Sequence, residues 1–71
     1  MAQVTVYFRA YGWRDNGIRW QGPARPQEYV TESDRWYRLD LKERNRVLER
    51  ATMMDYPEVD RIDRIVIESI K

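Results

Sequence analysis

Four carboxylates fall within one short stretch, Asp55, Glu58, Asp60 and Asp63. They are the main catalytic resource of the chain, since clustered acids can bind a hard cation or exchange protons. Their spacing departs from a calcium loop. A loop opening at Asp55 needs oxygen ligands two and four residues on and glycine at the sixth position, where this chain has Pro57, Val59 and Asp60. Arg61 and Arg64 are near enough in sequence to pair with these acids, so a solvated, charge-paired connection is the simpler expectation. Histidine and cysteine are absent, which removes the usual general base and thiol nucleophile. Ser33 and Ser69 are the only serines, and neither sits in a nucleophile elbow. Gly12, Gly17 and Gly22 are too scattered to cradle a phosphate. The expectation is a non-enzymatic protein without cofactor or metal.

Binding chemistry is better represented. Along residues 3–11, Thr5, Tyr7, Arg9 and Tyr11 alternate with Val4, Val6, Phe8 and Ala10. If the apolar set faces a core, the Tyr/Arg set faces away from it. Tyr and Arg are enriched where interfaces concentrate their energy, because they bury large areas at low entropic cost. Arg14 and Arg19 extend this basic, aromatic end of the chain. Lys42, Arg46 and Arg50 recur every four residues and would form one ridge on a helix, with Glu43 and Glu49 close enough to pair with Arg46. Arg44 falls nearer the apolar side, its stem running over the core edge.

These side chains need elements to place them. Period-two alternation of β-branched and aromatic residues over 3–11 predicts a strand. Asn16-Gly17 suits a two-residue type I′ turn, with Ile18-Arg19-Trp20 returning. A symmetric hairpin of that kind sets Trp13 opposite Trp20. Pro23 and Pro26 mark a loop. Residues 27–31 and 35–39 read as a second hairpin around Glu32-Ser33-Asp34, since Tyr29, Val30, Trp36 and Tyr37 favour strands. The rival reading is an early helix capped by Ser33 or Asp34. A helix is predicted over 41–53, with Asp40 and Glu43 as a capping box and Leu41, Val47, Leu48, Ala51 and Met54 on one face. Asp55-Tyr56-Pro57 ends it. Residues 61–70, apolar on both faces at Ile65-Val66-Ile67, read as a strand beside the first. The expected fold is one α+β domain over residues 1–71: a mostly antiparallel sheet of about 4–5 short strands with one helix packed on one face.

Composition narrows the partner. Thirteen basic and twelve acidic residues leave a net charge of +1, too little to drive non-specific nucleic-acid binding by counterion release. Residues 1–26 carry Arg9, Arg14, Arg19 and Arg25 against Asp15, and the rest of the chain has a small acidic excess. A domain of 71 residues buries only about 60% of its unfolded surface, so a homo-oligomer is a further option. No signal-peptide pattern follows Met1 and no apolar run could span a bilayer, which gives a cytoplasmic expectation. The leading expectation is a small protein-binding protein: an inhibitor, adaptor or assembly subunit of the bacterial or phage accessory kind, acting by covering a partner surface. The partner-binding candidates are Tyr7, Arg9, Tyr11, Arg14, Arg19, Lys42, Arg46 and Arg50. The alternatives are a nucleic-acid-binding protein using the Tyr/Arg sheet face and a self-associating structural subunit.

Overall fold

A computed structural model describes residues 2–71. Strand β1 (Gln3–Arg14) is the spine of a four-stranded antiparallel sheet. Its apolar even-numbered side chains must leave water, and Val6, Phe8 and Ala10 are buried. One edge of β1 carries β4 (Val59–Ile70) along most of its length. The other edge is shared: β3 (Gln27–Glu32) pairs with the first half of β1, and β2 (Arg19–Gln21) with its far end. Both helices, α1 (Ser33–Arg38) and α2 (Leu41–Asp55), supply core residues to the even-numbered face. The fold is therefore α+β, with the final strand beside the first as expected.

Three elements differ from the sequence expectation. The segment 33–38 is helix, not the second arm of a hairpin. β3 pairs with β1 on one side, and among the described residues its other edge carries no strand. Helical geometry instead swings Trp36 into the core, where it is fully buried and packs 6.2 Å from the Tyr29 ring. Neither Ser33 nor Asp34 is the cap; Glu32 holds that position without a side-chain hydrogen bond. Tertiary burial of one large ring outweighs the strand preference of its neighbours.

The second difference is the β1–β2 turn. Among the described residues Gly17 alone has positive φ, at 82°, whereas a type I′ turn needs positive φ at both central residues. The chain turns over Arg14–Gly17, closed by Gly17 N–H donating to Arg14 O at 3.0 Å, and re-enters the ladder through Arg14 N–H to Ile18 O at 2.8 Å. This shifts the register by one residue, setting Trp13 opposite Arg19 and Gly12 opposite Trp20. A one-residue slip exchanges faces. Trp20 joins the core, 5.4 Å from Tyr56, and Trp13 lies on the opposite side of the sheet.

The third difference lies at the two ends of α2, where the expected inward stripe does not reach the core. The helix runs two residues past the expected end, and its capping box is present: Glu43 N–H donates to Asp40 Oδ1 at 2.8 Å, and Asp40 N–H to Glu43 Oε1 at 3.1 Å. Leu48 and Thr52 are the residues it buries. Leu41 and Met54, expected on the inward stripe, are about three-quarters exposed at 73% and 77%. Thr52 can point inward because its hydroxyl donates to Leu48 O one turn back, at 2.9 Å. Arg44 behaves as its position implied. Its Nε donates to Trp36 O at 3.3 Å, and its guanidinium lies 5.2 Å from the Trp36 ring and 5.6 Å from that of Tyr37.

β4 begins at Val59, two residues before the expected start. Its pairing with β1 slips at Tyr7/Phe8, Tyr11/Gly12 and Trp13/Arg14, leaving Glu68, Asp63 and Asp60 without a direct partner opposite. Each slip is a β-bulge, one extra residue on the bulged strand. The bulges explain why the core-facing residues Val59, Ile62, Ile65, Ile67 and Ile70 do not follow strict alternation.

Candidate functional site

The odd-numbered side chains of β1 project from the face that carries no helix. Tyr7, Arg9, Tyr11 and Trp13 form one row down the centre of this open face, each half-buried between its strand neighbours. Cross-strand partners on the same face are Glu28 and Val30 from β3, Arg19 and Gln21 from β2, and Arg61, Arg64, Val66 and Ser69 from β4.

Within this row each ring has a cation beside it. Lys71 Nζ stands 5.6 Å from the Tyr7 ring centroid, the Arg64 guanidinium 5.6 Å from Tyr11, and the Arg19 guanidinium 5.5 Å from Trp13. Cations at this range are attracted to the negative face of the ring. Arg9 is held differently. Its Nε donates to Glu68 Oε2 at 2.6 Å and its Nη1 to Ala24 O at 3.0 Å, so β4 and the 22–26 loop fix the guanidinium from two sides. The loop reaches Arg9 because β1 has no strand partner on that edge at Arg9 and Ala10, between the β3 and β2 ladders. A recess of about 150 Å³ opens there, lined in part by Arg9, Tyr11, Gln21, Arg25 and Gln27.

The carboxylates of the 55–63 stretch do not converge. Among the described residues no group of three acidic side chains is placed to hold a metal ion. The expected pairing with Arg61 and Arg64 does not form either: the ion pair among the described residues is Arg9–Glu68. Asp63 instead accepts Trp13 Nε1–H at 3.0 Å, and Glu58 accepts Trp20 Nε1–H at 3.4 Å. Two of the four acids thus serve as acceptors for indoles, while Arg64 turns to Tyr11.

The eight predicted binding residues divide between two surfaces. Tyr7, Arg9, Tyr11 and Arg19 share the open sheet face; Arg14, opposite the core-facing Val59, is exposed at the end of β1 on the helix side of the sheet. Lys42, Arg46 and Arg50 are exposed on α2, on the other layer of the domain. Glu43 is engaged in the capping box and Glu49 reaches no cation, so among the described residues the ridge has no ion pair. Arg46 and Arg50 instead border a shallow apolar depression with Met53 and Met54. Sequence reasoning missed Trp13, Arg64, Glu68 and Lys71 as members of the sheet-face site. The first was hidden by the turn register and the other three by the bulges of β4.

Comparison of the chain with models of protein families, with curated proteins and with solved structures finds no significant match. No helix among the described residues is long and apolar enough to cross a membrane.

Proposed function

We propose that this chain is a non-enzymatic protein-binding protein, an inhibitor, adaptor or assembly subunit that acts by laying its open sheet face over a partner. The observation that carries this reading is the row Tyr7–Arg9–Tyr11–Trp13, uncovered by either helix and held in place by neighbours on β2, β4 and the 22–26 loop. Side chains already fixed before binding lose little entropy on contact, so their area is converted to affinity with smaller losses. Arg and aromatic residues at the centre of a patch are the usual anchors of an interface.

The charge pattern favours a protein over a nucleic acid. Arg9, Arg19, Arg61, Arg64 and Lys71 share the face with Glu28, Asp63 and Glu68. Carboxylates interleaved with the cations would repel a phosphate backbone, whereas mixed charge suits the polar rim of a protein interface. The recess beside Arg9, at about 150 Å³, is smaller than the ~300–1,000 Å³ of small-molecule pockets.

The test is affinity capture from a bacterial lysate with three immobilised baits: the wild type, Tyr7→Ala/Arg9→Ala, and Lys42→Ala/Arg46→Ala/Arg50→Ala. A protein retained by the first and third baits but not the second supports the sheet face. Equal recovery on all three rules it out. A complex with single-stranded oligonucleotides that weakens steeply with salt would transfer the reading to nucleic-acid binding.

A further inference from the structure

The outer edge of β4 has no strand partner among the described residues. We infer that this edge pairs antiparallel with the same edge of a second copy, centred on Val66, giving a two-fold dimer with one continuous sheet.

Backbone direction supplies the first support. Thr5 exchanges both its hydrogen bonds with Lys71, at 3.0 and 2.9 Å, so the odd-numbered residues of β1 turn their N–H and C=O groups toward β4. Val66 lies opposite Arg9 and therefore points its backbone groups inward. Ile65 and Ile67 point theirs outward, to open edge. In a two-fold pairing about Val66, Ile65 of one copy meets Ile67 of the other as a hydrogen-bonded pair, and the two Val66 residues meet as a non-hydrogen-bonded pair.

The side chains match that register. Arg64-Ile65-Val66-Ile67-Glu68 is self-complementary when reversed: Ile faces Ile, Val faces Val, and Arg64 faces Glu68 of the second copy. Arg64 and Glu68 both lie on the open face, where they touch Tyr11 and Arg9, so the charges of opposite sign meet on one side of the sheet. Directly opposed opposite charges stabilise a strand pair, and like charges destabilise it. On the other face Ile62, Ile65, Ile67 and Ile70 are only half-buried, and a second copy would complete their cover. The bulges at Asp63 and Glu68 bracket the regular stretch. Bulges stop edge pairing from running on, which limits the contact to one short segment.

The contact uses the edge of β4, although Arg64 and Glu68 also border the Tyr7–Trp13 row; the mass is read on the isolated chain, so failure of the dimer and failure of partner capture are separate results. Sedimentation equilibrium, with the chain at tens to hundreds of micromolar, reads the mass directly. The wild type is expected to approach twice its 8.7 kDa. Arg64→Glu places Glu opposite Glu in both contacts, and Glu68→Arg places Arg opposite Arg, so each variant alone should remain at 8.7 kDa. An equimolar mixture of the two restores both contacts and should double the mass at physiological salt. The swap of both charges in one chain, Arg64→Glu/Glu68→Arg, should dimerise by itself. A wild type that stays monomeric overturns the inference, as do single variants that dimerise as well as the wild type or a mixture that does not associate. Far-UV circular dichroism separates loss of pairing from loss of fold: a variant with wild-type spectrum and melting that no longer pairs supports the register. If Glu68→Arg unfolds because Arg9 loses its partner, Ile67 replaced by N-methylisoleucine removes the outward N–H alone, and a dimer that survives it refutes the pairing.

Discussion

Gly12 sits where the sheet is tightest, and replacing it tests the packing of β1 against β4. A methyl group at this position would overlap the Arg61 carbonyl oxygen and press to 3.0 Å from both the Arg61 carbonyl carbon and the Ile62 Cα. All three are backbone atoms of the neighbouring strand, so no side chain can rotate away and the strand itself must retreat beside a bulge. Overpacking typically costs about 1–3 kcal/mol, and a backbone obstacle places Gly12→Ala near the top of that range. A domain of this length has a total stability of about 4–10 kcal/mol on the usual scale per residue. A loss near 3 kcal/mol would lower the melting temperature by about 12–24 °C. Two other glycines calibrate the measurement. Gly22→Ala meets its nearest neighbours at 3.5–3.6 Å, ordinary contact, and should be neutral or gain up to about 1 kcal/mol from a less flexible unfolded chain. Gly17→Ala has open space but φ of +82°, and should lose about 1–2 kcal/mol to backbone strain. Urea unfolding of the four proteins, with equal m values as the condition for comparison, gives the ranking. Gly12→Ala within 0.5 kcal/mol of wild type, as is usual for an unconstrained surface change, or Gly22→Ala losing as much, would refute the close approach of β4.

Three further outcomes follow from the packing. Asp40→Ala removes the acceptor for Glu43 N–H and should cost about 1 kcal/mol, seen as a lower urea midpoint. Leu48→Ala, at a fully buried position under the sheet, should cost about 2–5 kcal/mol; a smaller loss would mean α2 is not seated on the core. Glu68→Gln breaks the ion pair with Arg9, whose side chains are 34% and 39% exposed. Water screens such a pair, so stability should fall by less than about 1 kcal/mol, and the difference should shrink in 1 M salt, where the Debye length is about 3 Å.

The elements that were legible are those whose local chemistry and long-range contacts agree. β1 alternates without interruption, and α2 starts at an Asp/Glu capping box that forms as the spacing implies. The misreadings occur where tertiary contacts decide. Trp36 and Tyr37 favour strands by type, yet the outer edge of β3 stays open, and the buried site for Trp36 is reached from a helix. The Trp13–Trp20 pair failed because Asn16 keeps negative φ and only Gly17 crosses to the positive side, which moves the register by one. For the sheet-face site, Tyr7, Arg9 and Tyr11 could be found from β1 alone. Their partners Arg64, Glu68 and Lys71 could not, because bulges displace β4 from simple alternation and nothing local in the sequence marks an extra residue.

The central position of β1 also sets the order of events as the chain is made. Its partners at one edge, β2 and β3, follow after four (19 − 14 − 1) and twelve (27 − 14 − 1) residues, but 44 residues separate Arg14 from Val59, where the other partner begins (59 − 14 − 1). At a synthesis rate of about 5–20 residues per second, β1 is displayed for roughly 2–9 s before β4 exists. Through that interval one side of a long, aromatic, β-branched strand has donors and acceptors bound only to water. The longest-range ladder then closes last, which predicts slow folding for so small a domain. Arg9, at the middle of that waiting strand, places a charge where a second nascent strand would otherwise find an uninterrupted apolar and aromatic template.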